Sequence, residues 1–224
     1  MDLFPLFNSL RISLIATLIT LVTGILAAYF VARLSGAVKG ILDTILTIPM
    51  VLPPTVIGFL LLMLISPKSL IGQALNSWFD LTLTMNWYSA IFAVTIVTFP
   101  LMYRTVRAAF EAFDRNLIYA GQTLGLSDRF IFRRILLPNC KSGIIAGIVL
   151  SFARGLGEYG ATSMVAGYIA GRTATVSTTV AYYWQIGSDG PAVFWVVVNL
   201  FISFAVMLTV NFFENKRPVR KEAV

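Results

Sequence analysis

Histidine does not occur in this chain, and cysteine occurs once, as Cys140. The first absence removes the side chain that most often moves protons near neutral pH and that most often ligates metals. The second excludes an intrachain disulfide and any cysteine-rich metal site. Charge is scarce as well, at 12% of positions where a soluble domain carries about 25%. No G-x-x-x-x-G-K-[ST] loop is present, so the chain has no phosphate cradle of its own for ATP. No nucleophile–base pair or metal-ligand cluster stands out, and nothing reads as catalytic. What is abundant is apolar: 58% of the 224 residues are hydrophobic and mean hydropathy is +0.83. So little charge cannot build a polar shell, and the chain must be solvated by lipid.

Four uncharged runs, 12–32, 44–67, 81–103 and 190–213, are long enough to cross about 30 Å of hydrocarbon. A fifth, 142–161, has the length but contains Arg154 and Glu158. Lipid cannot satisfy open backbone groups and the runs lack barrel alternation, so helices are predicted. The expected fold class is an all-α integral membrane protein with about five transmembrane helices, near 10–33, 43–66, 85–109, 139–161 and 191–214. Pro49, Pro53 and Pro54 should break the second span, and Pro100 should kink the third. The first thirty residues resemble a signal peptide, but Asp2 in the opening segment and an apolar run of full spanning length predict a retained helix. With no internal repeat and no separate soluble segment, residues 1–224 read as a single transmembrane domain.

Five spans place the termini on opposite sides. Arg33 and Lys39, seven basic residues between Arg104 and Lys141, and four in the tail "NKRPVRKEAV" make thirteen of the seventeen basic residues on one side. The positive-inside rule puts that side in the cytoplasm, hence the N-terminus outside and the C-terminus cytoplasmic. The net charge of +7 is accounted for in this way, and no nucleic-acid partner is expected. Residues 162–188 are then external and should form an interfacial helix, with Gly167, Gly171 and Gly187 at its turns.

One polar segment interrupts the pattern: "YAGQTLGLSDRFIFRRILLP", Tyr119 to Pro138. Residues 115–124 are helix-compatible, with Leu117, Ala120 and Leu124 on one face. Gly125 suits a left-handed helix stop, Ser127 is a good N-cap, and the next helix should end before Pro138. Two short helices across 111–138, at a right angle on the membrane surface, would make a rigid knob for a cytoplasmic partner. The plainer alternative is a basic loop lying on anionic lipid.

The same stretch resembles the cytoplasmic signature of ABC-importer permeases, Glu-Ala-Ala, three residues, Gly, nine residues, Ile-x-Leu-Pro. Tyr119, Ala120 and Gly121 hold the Glu-Ala-Ala positions, Gly125 the glycine, and Ile135, Leu137 and Pro138 the final motif, with Leu124 beside the glycine. The resemblance implies that these residues form a coupling element seated in a groove of the ATPase subunit. Tyr119 stands where the family has glutamate and Gly121 where it has alanine, so the carboxylate of that contact is missing. "IPMVLPPTVIGFLLL", "TFPLMYRTVRAAFE" and "SFARGLGEYGAT" are similar to the molybdate permease branch, and they extend the likeness over nearly the whole chain. Tungstate and sulfate permeases share much of this pattern.

From the resemblance follow a type I importer fold and import of a tetrahedral oxyanion by alternating access. It also implies a permease homodimer in a bacterial or archaeal inner membrane and an extracytoplasmic oxyanion-binding protein. Two ABC ATPase subunits would carry the ATP and Mg, and this chain would bind no cofactor or metal and catalyse nothing. Arg154 and Glu158, four apart on an expected helix, would pair. They either lock that helix to a neighbour or line the anion path, and Pro53 and Pro54 either shape the bundle or join that path. A gradient-driven secondary transporter is the rival class. It would need inverted repeats or ionisable groups near midplane, and neither is evident in the sequence.

Overall fold

The computed structural model describes residues 2–80 and 82–215, and every described element is helical. The four basic residues of the tail beyond Asn215 lie outside the described residues. The first helix, α1 (Phe4–Ala32), opens with Pro5, whose missing N–H costs nothing in a first turn. Its buried face is a ladder of small residues: Ser9, Ser13, Ala16, Thr20, Gly24 and Ala28. Small side chains let helices approach closely, which is how helices hold together in lipid. α5 (Trp87–Glu111) and α8 (Lys141–Leu156) pack on that face. A Cβ on Gly24 of α1 would lie 2.7 Å from Met102 Cγ, and one on Gly147 of α8 would lie 2.7 Å from Met102 Sδ. Met102 on α5, fully buried, therefore fills the hollow left by two glycines. This three-helix unit is the scaffold.

The second apolar run breaks more sharply than a proline kink. α2 (Gly36–Val51) contains Pro49, and α3 (Pro54–Ile65) leaves it at 108° across Leu52 and Pro53, both extended. A residue before proline is pushed out of the helical region, and two successive prolines impose this twice. α2 buries no side chain fully, whereas α3 buries Ile57, Gly58, Leu61 and Ile65. Pro100, by contrast, sits inside α5, which continues through it to Glu111. Arg104 and Arg107 therefore belong to a helix rather than to a loop.

After α4 (Leu70–Phe79) and α5 come α6 (Arg115–Thr123) and α7 (Asp128–Asn139). α7 meets α8 at 71°. α8 stops at Leu156, so the uninterrupted span expected over 139–161 is not formed. Gly155 and Gly157 weaken the helix there, and the Glu158 carboxylate accepts the Ala161 N–H at 2.8 Å. That contact satisfies a first-turn amide of a separate short helix, α9 (Gly160–Val165). The stretch after α9 forms α10 (Val176–Gln185), opened by a reciprocal capping box between Thr175 and Thr178. α11 (Asp189–Asn215) leaves the bundle as a largely exposed apolar helix, with only Ala192 and Trp195 buried in its length to Leu208. Among the described residues, three helices (α1, α5 and α11) are long and apolar enough to cross a membrane, or up to five if each bent pair is one span.

Candidate functional site

The knob is built as its local chemistry dictates. Asp114 caps α6 by accepting the Asn116 N–H at 2.9 Å, and Ser127 caps α7 by accepting that of Phe130 at 3.4 Å. Between them Gly125 has φ +73°, a left-handed conformation that a side chain disfavours. The second helix does not end before Pro138. Residues Ile131–Leu136 wind as a π-turn in which the Leu137 N–H reaches back to the Phe132 carbonyl, and Pro138 opens a new α-turn ending at Asn139. Proline's absent N–H is harmless at such a start.

The eight residues expected to form a coupling element divide into two groups. Gly121 is buried, and a Cβ there would lie 3.2–3.4 Å from Ile131 and Ile135, so these three hold α6 against α7. Leu137 packs against the apolar core at this end of the bundle. Leu124, at 77% exposure, Tyr119, Ala120, Gly125 and Pro138 face outward. The inward group fixes the knob's shape and the outward group makes up its exposed surface. Phe132 fastens the knob to the scaffold, its ring 4.3 Å from Tyr29 of α1 and 6.4 Å from Phe110 of α5. Arg33 stacks over Tyr29 at 4.0 Å and meets Asp128 at 3.5 Å. A cavity of about 310 Å³ lies between these groups and α6.

Beside the knob, sequence reasoning missed an ionic cluster. Asp43 of α2 accepts the Tyr103 hydroxyl at 3.0 Å and pairs with Arg107, both on α5. Lys39 of α2 pairs with Glu111 of α5 at 2.7 Å. The spacing of four on each helix was the available signal, but nothing local pairs α2 with α5.

The other predicted residues gather where two helices break. Arg154 Nη1 lies 2.7 Å from Glu158 Oε2, so the pair forms, although Glu158 lies beyond the helix end and not on a shared helical face. The carboxylate is 1% exposed and the guanidinium 35%. A Cβ on Gly160, two residues on, would sit 2.9 Å from Pro54, and one on Gly58 would sit 2.7 Å from Ala161 Cα. Pro54 is thus brought to the Glu158 break through glycine contacts, while Pro53 stays exposed at the corner. The buried hydroxyls of Ser13, Ser151 and Thr162, on α1, α8 and α9, have no hydrogen-bond partner among the described residues.

At the opposite end from the knob, Arg172 is not a free loop charge. It donates to Asn86 Oδ1 at 2.6 Å, and Arg11 lies 4.0 Å over the Trp87 ring. Gly167, Gly171 and Gly187 all have positive φ, as their expected turns require. Burial pushes the Tyr168 phenol above its ordinary value.

Comparison with known proteins agrees with this architecture. Residues 9–217 match the family model described as binding-protein-dependent transport system inner membrane component. The chain belongs to that family and is a permease subunit of an ABC importer, not a catalytic one. It is 41% identical over 182 residues to the molybdenum transport system permease protein ModB of Escherichia coli K12, covering 81% of this chain and 79% of that one. The sulfate transport system permease protein CysT of Salmonella typhimurium is 33% identical over 172 residues, covering 77% of this chain and 62% of that protein. A crystal structure of a bacterial alginate ABC transporter bound to its periplasmic protein contains a chain with the same fold. Its TM-score is 0.72 at 17% identity, over 99% of this chain and 80% of that chain.

Proposed function

We propose that this chain carries molybdate, a tetrahedral oxyanion, across the inner membrane as one half of a permease homodimer. Two separate ATPase subunits supply ATP and Mg, and an extracytoplasmic binding protein delivers the anion. The observation that carries the reading is the exposed knob: a capped, glycine-turned pair of helices fastened by Phe132 to the ends of both long scaffold helices. Such a piece can transmit a push to the bundle, which a loop lying on lipid could not do. The relatives supply the anion. The knob end holds Arg33, Lys39 and Arg107 with the arginines of α6 and α7, which supports a cytoplasmic assignment and an external N-terminus. ATP binding then draws the two knobs together and opens the helices outward, and hydrolysis resets them.

Within this reading, the Arg154–Glu158 pair is a structural lock at the break between α8 and α9, because its carboxylate is enclosed. Sulfate is the second reading, favoured by the CysT likeness. The test is ATP hydrolysis by the reconstituted permease, its ATPases and the binding protein. Molybdate-loaded binding protein should stimulate it, and stimulation by sulfate alone would replace the substrate.

A further inference from the structure

α2 is attached unlike any other long helix of the bundle. None of its residues is fully buried, and its free faces carry Val38, Ile41, Ile45, Ile48 and Val51, all exposed. What joins it to α5 is a stripe of charge. Lys39 and Asp43, one turn apart on α2, face Glu111 and Arg107, one turn apart on α5 in the opposite direction. Each cation meets an anion across the interface, and the four charges sum to zero. Arg107 Nε also lies 3.7 Å from Glu111, and the Tyr103 hydroxyl completes the row by donating to Asp43. All four charged side chains are about one-third exposed or less. Leu46, about one turn further, packs against the core cluster that includes Tyr103. A charged stripe turned inward, with apolar faces outward, is what lipid demands of a helix that must keep its charges.

The elements at either end of this stripe give it a use. α5 runs unbroken to Glu111, and only residues 112–114 separate it from α6 of the knob. α2 runs to Val51, beyond which the chain turns 108° into α3, and Pro54 at the start of α3 touches the break that holds Glu158. We infer that Lys39, Asp43, Arg107 and Glu111 form an ionic zipper that makes α2 move with α5, carrying displacement of the knob to the Pro53–Pro54 corner. The four are positioning residues, and the inference rests on the transport reading given above. Paired charges suit the task because the attachment is directional and fixes register between two helices.

The experiment uses the complete reconstituted transporter and reads anions imported per ATP hydrolysed, at equal amounts of folded complex. Asp43→Ala removes the partner of both Arg107 and Tyr103 while leaving Arg107 its contact with Glu111. It should lower the ratio about tenfold with ATP hydrolysis retained, the size expected of a modest coupling energy. Lys39→Ala, at the more exposed rung, should lower it less and serves as the measurement if Asp43→Ala does not fold. Exchanging the pair, Asp43→Arg with Arg107→Asp, should restore much of the ratio. An unchanged ratio in Asp43→Ala or, where that variant does not fold, in Lys39→Ala would overturn the zipper, as would an exchange variant no better than Asp43→Ala. A wild-type complex that shows no anion-stimulated hydrolysis at all would instead overturn the transport reading.

Discussion

At the knob end the long-range polar contacts are mostly ionic and partly exposed, whereas at the opposite end they are mostly neutral and buried. Around the N-terminus, Asn8 Nδ2 donates to the Ala174 carbonyl at 2.9 Å, and the Val176 N–H donates to Ser9 Oγ at 2.9 Å. Thr173, Thr175, Thr178 and Thr179 are buried beside them. At the knob end the contacts are Arg33–Asp128, Lys39–Glu111 and Arg107–Asp43, beside exposed Leu124 and Phe130. A buried neutral hydrogen bond is expensive to break because the freed group finds no water, so it holds one geometry. An exposed ion pair such as Arg33–Asp128 contributes little and can exchange partners, and an exposed apolar knob needs a cover. One end is built to stay closed on itself, and the other to be engaged.

The largest expected effect tests which end faces which solution. With Cys140 replaced, a cysteine at Lys68 should react with an impermeant thiol reagent in intact cells, and one at Arg129 should not. Both sites are exposed, and neither is a helix cap. Reversed labelling would turn the comparison upside down. Next comes Gly125→Val. Nothing lies within 4 Å of a Cβ at that position, so its cost is conformational: about 1–2 kcal/mol for a left-handed residue, and more for a β-branched one. Transport should be lost with the protein still in the membrane, while Gly125→Asn, which tolerates positive φ, keeps most of it. Normal transport by the valine variant would remove the knob from the mechanism.

Arg154→Ala should cost about 3 kcal/mol, because it strands an enclosed carboxylate. Glu158→Ala should cost less, since the guanidinium it frees is already one-third exposed. Melting temperature in detergent would show the asymmetry. Arg154→Met with Glu158→Leu should restore both folding and transport if the pair is a structural lock. Restored folding without transport would put the arginine in the anion path. The smallest change is Asn8→Ala, expected to cost about 1–2 kcal/mol through the lost bond to Ala174. Its melting point should fall while copurification of the ATPases stays unchanged. A loss of copurification would mean that the two ends are not independent.

What the sequence by itself determined are the features whose causes are local or imposed by lipid. Run length decides a span because the bilayer has a set thickness, and α1, α5 and α11 follow from that. The Gly125 turn and the Ser127 cap follow from properties of the residue and its near neighbours. Only the tertiary structure decided the pairing of α2 with α5, in which Tyr103 reaches Asp43 across sixty positions. It also placed Arg172 on Asn86, turned the second run through 108°, and wound 131–136 wider so that the helix could pass Pro138. It put Glu158 inside, past a helix end that hydropathy could not reveal. Each of these depends on which surfaces meet, and that is settled by fits such as Met102 between Gly24 and Gly147. Packing of that kind selects a neighbour by shape, and shape is a property of the assembled helices, absent from any single stretch of chain.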